Sequence, residues 1–223
     1  MNIVQLDHVT KRYGDNIILQ NVNLNIQGGE FVVIMGESGS GKTTILNMIG
    51  GLEPASNGDI IIDDQKIKDL TERQRVDFYR HKVGLIFQGS YLQPYLTLFE
   101  NIVLPGIFSR IPKKAREQRA RQLAEELSIS NVLRSLPSKV SGGQAERTCI
   151  ARALLLSPKI ILADEPTSNL DEGNAMNILN LLNSIRVQYG ITIIASSHSQ
   201  TVAGFATQLV KIEHGSVHDD RTL

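Results

Sequence analysis

The amino-acid sequence predicts an α/β fold with a mostly parallel core sheet. Two short apolar runs, residues 159–163 and 191–195, are typical of strands that are buried on both faces. A long helical pattern at residues 171–188 separates them, and repeated strand–helix units of this kind produce parallel sheets. Because ligands bind at the carboxyl ends of the strands in such sheets, we expect the functional site there.

The N-terminal part of the chain predicts an antiparallel β subdomain. Residues 3–9 and 17–26 have the composition of strands, and in the second one apolar residues alternate with asparagines. Residues 59–63 predict a further strand, which begins a hairpin with residues 66–67.

A helical block interrupts the alternation of strands and helices. The pattern is helical from residue 97 to 136, and we expect breaks at Pro105 and Pro112, because proline has no amide hydrogen to donate within a helix. The block also carries a cluster of arginines and lysines. Glutamates interleave with this cluster, which favours a solvated helix face over a docking surface for an acidic partner.

The length and composition suit a single globular domain. The chain has 223 residues, of which 41% are hydrophobic and 21% are charged, so it can bury a core of ordinary size. We expect one domain over residues 1–223. Within it, residues 1–88 and 157–223 form the core, and residues 89–156 form an inserted helical subdomain.

The charge balance argues against nucleic acid as a partner. Lysine plus arginine and aspartate plus glutamate each number 23, so the formal net charge is zero, whereas nucleic-acid-binding domains usually carry a basic excess. The single cysteine, Cys149, allows no internal disulfide and favours a reducing compartment. No leader pattern is evident, and no apolar run approaches the roughly 20 residues that cross a bilayer. We therefore expect a cytoplasmic protein.

The most informative motif is the glycine-rich segment at residues 36–43, Gly-Glu-Ser-Gly-Ser-Gly-Lys-Thr. In a phosphate loop of this pattern, backbone amides converge on phosphate oxygens and the next helix adds its positive end. A strand-like run precedes the segment and a helical run follows it, which favours a phosphate loop over a plain glycine-rich turn. We expect Lys42 to bind the β- and γ-phosphates of a nucleoside triphosphate and Thr43 to bind Mg²⁺. The expected nucleotide-binding residues are Gly36, Ser38, Gly39, Ser40, Gly41, Lys42, Thr43 and Thr44.

Two carboxylates follow the apolar run at residues 159–163. We expect Asp164 to bind Mg²⁺ beside Thr43, directly or through water. Glu165 is the best candidate for the group that deprotonates the attacking water. An ordinary acidic turn is the alternative, but the phosphate loop favours the catalytic interpretation.

Three further features leave alternatives open on residue types alone. Tyr13 can pack at a strand edge or stack on adenine. His198 follows the strand at residues 191–195, so it lies at the same edge as the phosphate loop, in a structural or a functional role. Ser141 is the expected N-cap of a helix at 145–156, and the glycines after it either simply begin that helix or bind an anion.

Together these features resemble the ATP-binding cassette (ABC) ATPases, and the resemblance covers nearly the whole chain. It rests on motifs that occur in the order found in that family, namely the phosphate loop, Gln88, Ser-Gly-Gly-Gln at 141–144, residues 160–165, residues 168–171 and His198. The Ser-Gly-Gly-Gln signature is highly specific to the family. The resemblance implies the ABC ATPase form of the phosphate-loop NTPase fold, with the signature at the end of an inserted helical subdomain.

The resemblance also implies roles for the residues left open above. Tyr13 is then expected to stack on adenine, Gln88 to contact Mg²⁺ and the attacking water, and His198 to contact the γ-phosphate. Two copies are expected to pair head to tail, so that the signature of one copy binds the ATP held by the other. The implied signature ligands are Ser141, Gly143 and Gln144; the implied catalytic residues are Glu165, His198, Lys42 and Gln88; and the implied metal ligands are Thr43, Gln88 and Asp164.

Within the family, residues 59–63, 81–88 and 92–105 look most like the branch of macrolide and peptide exporters and lipoprotein-releasing complexes. This likeness implies an ATPase subunit that powers export or extraction of a peptide, lipoprotein or drug-like substrate through an integral membrane permease, and that lies at the inner face of the cell membrane. An apolar surface predicts a groove for a permease helix, formed by Tyr91, Leu92, Tyr95, Leu96 and Leu98.

Two other functions remain as alternatives. One is a non-transport ABC ATPase that acts on ribosomes or DNA, which the zero net charge disfavours. The other is a regulatory ATP-binding module without turnover, which the presence of Glu165 and His198 disfavours. Small departures from the family pattern occur at Val140, Asn169 and Ser197, and none of them removes a catalytic group.

Overall fold

The computed structural model describes residues 1–89, 91–213 and 215–220. The strands are β1 (Asn2–Tyr13), β2 (Asn16–Gln27), β3 (Phe31–Met35), β4 (Asn57–Ile62), β5 (Gln65–Lys66), β6 (Val83–Ile86), β7 (Ile160–Asp164), β8 (Thr192–Ser197), β9 (Gln208–Glu213) and β10 (Ser216–Asp220). The α-helices are α1 (Lys42–Ile49), α2 (Glu72–Lys82), α3 (Leu98–Phe108), α4 (Lys113–Glu126), α5 (Gly142–Leu154), α6 (Glu172–Tyr189) and α7 (Gln200–Ala203). Short 3₁₀ helices lie at Ile67–Asp69, Ser130–Val132 and Pro137–Lys139.

The strands form an antiparallel sheet and a mostly parallel sheet, which confirms the predicted fold class. The first sheet has the order β2-β1-β4-β5, and all of its pairs are antiparallel. The second has the order β10-β9-β3-β8-β7-β6, and only the β9–β10 pair at its edge is antiparallel. Strand β3, which leads into the glycine-rich segment, therefore lies inside the parallel sheet between β8 and β9.

Strand β3 is buried on both faces and separates two hydrophobic clusters. Phe31 and Val33 pack with the helices that follow β6, whereas Val32 and Ile34 pack with α1 and the antiparallel sheet. Because both faces are covered, the strand is apolar without alternation, as expected for a central parallel strand. This packing fixes the position of the loop that follows β3.

Helices α3, α4 and α5 lie between β6 and β7 and pack on one another. Ala120, Leu123, Ala124 and Leu127 lie on their shared apolar side and are all buried. The basic cluster lies outside this core, and several of its members contact the protein itself. Arg119 and Arg121 lie over the rings of Tyr189 and Phe99 at 5.4 and 4.7 Å, and Arg116 donates a hydrogen bond to the Ile111 carbonyl. The basic cluster therefore lies on the surface of the helical block, as expected.

Several predicted boundaries were correct and others were wrong. The N-cap predicted at Ser141 is present, and Thr71 forms a capping box at the start of α2. Pro105, however, does not break the helix but lies inside α3, whereas Pro112 does stand at the N-terminus of α4. No sequence pattern predicted β10, which is the last strand among the described residues. Tyr13 is the last residue of β1.

Within the described parts of the chain, no helix has the length and hydrophobicity that crossing a bilayer requires.

Candidate active site

The register of the parallel sheet brings the predicted site residues to one edge. Met35, the last residue of β3, pairs with Ser197, the last residue of β8. Asp164, the last residue of β7, pairs with Ser196. The glycine-rich segment after β3, the carboxylates at the end of β7 and His198 after β8 therefore start from adjacent strand ends, as the sequence predicted.

The loop before α1 has the geometry of a phosphate cradle. Gly41 adopts a φ of 107°, which favours glycine, and no side chain caps the N-terminus of α1. The helix also has no acidic residue in its first turn, so its positive end is left for an anion. Lys42 is 8% exposed, and its ammonium donates hydrogen bonds of 2.9 Å to the carbonyls of Gly36 and Glu37. The Lys42 ammonium thus lies over the loop, where it can also bind a phosphate.

Two further observations test whether a phosphate group fits this loop. A Cβ atom added at Gly36 would lie 2.5 Å from Ser40 Oγ and 2.8 Å from the Ile212 carbonyl, so only glycine allows the backbone to fold this closely. Ser40 Oγ is buried and has no hydrogen-bond partner among the described residues. A bound anion would accept hydrogen bonds from Ser40 Oγ and from the backbone amides at the start of α1. The residues present therefore fit a nucleotide phosphate.

A hydroxyl and a carboxylate meet where a divalent cation would sit. Thr43 Oγ1 donates to both Asp164 carboxylate oxygens, at 3.0 and 3.1 Å, and Ser196 Oγ donates to Asp164 Oδ1 at 2.5 Å. Mg²⁺ prefers such oxygen ligands and is usually bound through one or two carboxylates together with phosphates and water. Among the described residues there is no group of three or more His, Cys, Asp or Glu side chains that could hold a metal ion by itself.

Glu165 and His198 form a close pair at the same edge. His198 Nδ1 lies 3.0 Å from each oxygen of the Glu165 carboxylate. The Glu165 amide donates to Ser196 Oγ at 3.0 Å, and Glu165 has a positive φ of 47°, a conformation that costs non-glycine residues energy. The His198 side chain is 70% exposed and that of Glu165 is 13% exposed. The histidine therefore lies on the solvent side, where it can orient the carboxylate and still face a ligand.

Tyr13 stands beside α1, within a cluster that the sequence did not predict. Its hydroxyl donates to Glu53, and the Lys11 ammonium lies 4.8 Å from the ring centroid. The hydrogen bond to Glu53 and partial desolvation raise the pKa of Tyr13, while a hydrogen bond from Thr44 of α1 partly offsets the shift. Glu53 carried no sequence signal, because it lies 40 positions from Tyr13 along the chain. These contacts hold an exposed aromatic ring next to the phosphate loop.

The signature at residues 141–144 lies apart from the phosphate loop of the same chain. Ser141 caps α5, since its Oγ accepts from the Gln144 amide at 3.3 Å while Gln144 Oε1 accepts from the Ser141 amide at 3.0 Å. A Cβ added at Gly143 would lie 3.5 Å from Asn174 of α6. In the described part of the chain, no signature residue lines the pocket beside the phosphate loop. The single chain does not bring these two predicted halves of the site together.

A groove of about 880 Å³ opens from the metal-binding end of the site. Thr43, Gln88 and Asp164 line one end, and the remaining wall is largely apolar, with Leu52, Phe87, Tyr91, Leu104, Pro105 and Phe108 among its residues. Arg152 of α5 borders the groove and donates to the Tyr91 carbonyl at 2.7 Å. Gln88 therefore connects the site to an apolar groove.

The groove exists, but its predicted lining was only partly correct. Tyr91 lines it, whereas Leu98 is fully buried and Leu92 packs against the main core. Tyr95 is 92% exposed but lies outside the lining. Residues distant in sequence, such as Leu52 and Phe108, take the place of these leucines in the lining.

Comparison with known proteins identifies the family. The family model for ABC transporters matches residues 19–168. The uncharacterized ABC transporter ATP-binding protein MJ0796 of Methanocaldococcus jannaschii is 40% identical over 229 residues, which cover 99% of this chain and 97% of the relative. The macrolide export ATP-binding/permease protein MacB of Aggregatibacter actinomycetemcomitans is 38% identical over 224 residues, which cover 99% of this chain and 35% of the relative. The chain thus spans about a third of the length of the macrolide export proteins that it matches.

Solved structures agree with this result. A dimeric structure of the ATP-binding cassette MJ0796, in a post-hydrolysis state with bound ADP and Pi, superposes with a TM-score of 0.87 at 39% identity and covers 97% of both chains. The structure of cbiO1 from Clostridium perfringens, part of the ABC transporter complex cbiONQ, has a TM-score of 0.89 at 25% identity, with 97% and 87% coverage. By its family match, its relatives and its fold, the chain belongs to the ABC transporter family as an ATP-binding cassette.

Proposed function

We propose that the chain hydrolyses ATP with Mg²⁺ as the energy-supplying subunit of an export or extraction complex. The observation that carries this proposal is the meeting of the phosphate loop, Asp164 and the Glu165–His198 pair at one sheet edge. A loop that binds phosphates, a carboxylate suited to a cation and an oriented general base are the parts that phosphoryl transfer to water requires.

Each side chain has a definite task in this proposal. Lys42 and the amides around residues 36–44 hold the phosphates, Thr43 and Asp164 with Gln88 hold Mg²⁺, and Tyr13 stacks on adenine. When it is bound, Mg²⁺ would neutralise part of the negative charge of the phosphates. Glu165 accepts the proton of the attacking water, and His198 orients Glu165 and contacts the γ-phosphate.

We also propose that two copies enclose ATP between the phosphate loop of one and the signature of the other. The separation of these two segments within one chain supports this, because the capped N-terminus of α5 otherwise has no nucleotide to contact. The dimeric form of the related cassette MJ0796 supports it as well. In this arrangement Ser141, Gly143 and Gln144 bind the γ-phosphate held by the partner.

The apolar groove is the proposed docking site for a permease. Phe87, Tyr91 and Phe108 in its wall are 37%, 70% and 67% exposed. Large exposed apolar side chains that lie together favour a protein partner. The names of the macrolide export relatives, which join an ATP-binding and a permease function, support a membrane permease as that partner. The same proposal includes an exporter role and a location at the inner face of the membrane. It also divides the chain into a core (1–88 and 157–223) and a helical subdomain (89–156).

A binding experiment with matched variants tests the docking proposal. The tagged chain is incubated with detergent-solubilised membranes of its source, and the captured membrane proteins are identified by mass spectrometry. We expect capture of a permease by the wild type, its loss in Tyr91→Asp and in Phe108→Asp, and its retention in Tyr95→Asp, which adds the same charge outside the groove. Equal capture by all three variants would contradict the groove assignment, and binding of RNA or DNA at physiological salt in place of a permease would favour the non-transport alternative.

A further inference from the structure

The exposed ring of Tyr13 is held by two other side chains at the edge of the site. Its hydroxyl donates to Glu53 Oε2. The Glu53 carboxylate also accepts from Asn47 Nδ2 of α1 at 2.9 Å and pairs with Lys11 Nζ at 3.1 Å. One half-buried carboxylate thus joins the tyrosine, a lysine of β1 and the helix that follows the phosphate loop.

Lys11 supports the ring from the protein side. Lys11 is 6% exposed, and its ammonium donates to the Pro54 carbonyl at 2.9 Å while it lies 4.8 Å from the Tyr13 ring centroid. A buried ammonium is stable only when it is paired, so its position is closely fixed by Glu53 and Pro54. Because this cation lies on the interior side of a ring that is 48% exposed, the ring turns its other face toward solvent.

We propose that Glu53 and Lys11 are positioning residues that fix the Tyr13 ring in the orientation that receives the adenine of ATP. The proposal rests on the proposed stacking of adenine on Tyr13. An exposed tyrosine otherwise rotates about two side-chain bonds, and fixing that rotation before the nucleotide arrives reduces the entropy lost on binding. Glu53 restrains the hydroxyl end of the ring, and the Lys11 ammonium favours the face-on geometry.

The electrostatic state of the cluster agrees with this role. The hydrogen bonds from Tyr13 and Asn47 and the charge of Lys11 hold the pKa of Glu53 below its ordinary value. Glu53 therefore stays ionised at neutral pH, as an acceptor for the tyrosine hydroxyl and a counter-ion for the lysine.

The chain contains a matched arrangement away from the site, which serves as a control. Tyr189 donates to Glu126, and the Arg119 guanidinium lies 5.4 Å from the Tyr189 ring centroid. This cluster joins α6 to α4 and lines no pocket of the described nucleotide site. Tyr189→Phe thus removes the same kind of hydrogen bond from the same kind of ring without touching the proposed adenine platform.

The experiment measures the affinity of the chain for ADP and for inorganic tripolyphosphate, which lacks a base, in the presence of Mg²⁺. We expect Tyr13→Ala to weaken ADP binding about tenfold or more. Tyr13→Phe, Glu53→Gln and Lys11→Met are each expected to weaken it about two- to tenfold. Tripolyphosphate binding remains close to wild type in these variants, and Tyr189→Phe leaves both affinities unchanged.

A double-mutant cycle gives the decisive comparison. If Glu53 acts through the tyrosine hydroxyl, Glu53→Gln adds almost nothing in the Tyr13→Phe background. Three results would each overturn the positioning role while leaving stacking intact. They are additive effects of Glu53→Gln and Tyr13→Phe, wild-type ADP affinity in both single variants, and a loss of tripolyphosphate binding equal to the loss of ADP binding. Unchanged ADP binding in Tyr13→Ala would instead refute the stacking itself, and the positioning proposal with it.

Discussion

His198 Nδ1 lies 3.0 Å from both oxygens of the Glu165 carboxylate, although the two residues belong to different strand ends. The parallel pairing of β7 with β8 brings those ends side by side. Glu165 is further restrained by a hydrogen bond from its amide to Ser196. The proposed general base is thus fixed by its neighbours before any nucleotide arrives, which is the arrangement that acid–base catalysis needs.

We predict that His198→Ala slows ATP turnover by about 100-fold, because the Glu165 carboxylate loses its orienting partner. The affinity for ADP should change by less than about threefold, since the exposed histidine contributes to the γ-phosphate and the base but not to the α- and β-phosphates. Steady-state ATPase rates and ADP titration measure the two quantities. His81→Ala, which removes an exposed histidine of α2, is the control and should leave both unchanged. Equal losses of turnover and ADP affinity would indicate a structural histidine.

A second prediction concerns Ser196, whose hydroxyl connects the Asp164 carboxylate to the backbone amide of Glu165. It donates to Asp164 at 2.5 Å and accepts from the Glu165 amide at 3.0 Å. Ser196→Ala leaves Asp164 less well oriented for the cation, and we expect the Mg²⁺ concentration for half-maximal ATPase activity to rise about tenfold. The matched control is Ser197→Ala, because the neighbouring hydroxyl instead accepts from the Ser199 amide. A Mg²⁺ requirement that is the same in both variants would contradict the proposed metal site.

A third prediction concerns acid stability. Asp63 pairs with Lys159 at 2.8 Å and with Lys82 at 2.6 Å, and these ammonium groups, Lys159 first, lower the pKa of Asp63. Because the folded-state pKa is below the unfolded value of about 3.9, the stabilisation is fully present above that pH and is lost as the pH falls through the folded pKa.

We expect Asp63→Asn to lower the free energy of unfolding by about 1 kcal/mol at pH 7, a value limited by the partial exposure of the pair. Asparagine tolerates the positive φ of 50° at this position, so the backbone should not add a further cost. Denaturant unfolding should show the difference narrowing below pH 4. A constant difference between pH 3 and pH 7 for Asp63→Asn would contradict the assignment.

Much of the fold followed from local patterns. The apolar runs, the capping residues and the glycine-rich segment each depend on neighbours close in sequence, so the strands β3, β7 and β8 and the loop before α1 could be predicted. Pro105 could not, because its lost hydrogen bond is outweighed by tertiary packing of Leu98 and Ile102 in α3. Strand β10 has a polar sequence and exists through its pairing with β9.

In the candidate site, too, only the features with a local sequence signal could be predicted. Motifs predicted which residues stand at the strand ends, because chain order fixes them. The partners of those residues depend on side chains far apart in sequence, such as Glu53 beside Tyr13 and Ser196 beside Asp164, and no local signal marks them. The groove shows the same limit, since Leu52 and Phe108 line it from segments 56 positions apart.

If one ATP is enclosed by the phosphate loop of one copy and the signature of another, the nucleotide controls dimerisation. The mass of the Glu165→Gln variant is measured by light scattering, with ATP and Mg²⁺ and then with ADP. We predict a dimer with ATP and a monomer with ADP, and loss of the ATP-bound dimer when Ser141→Arg is added, with ADP affinity preserved. An ATP-saturated Glu165→Gln chain that stays monomeric at high protein concentration would contradict it.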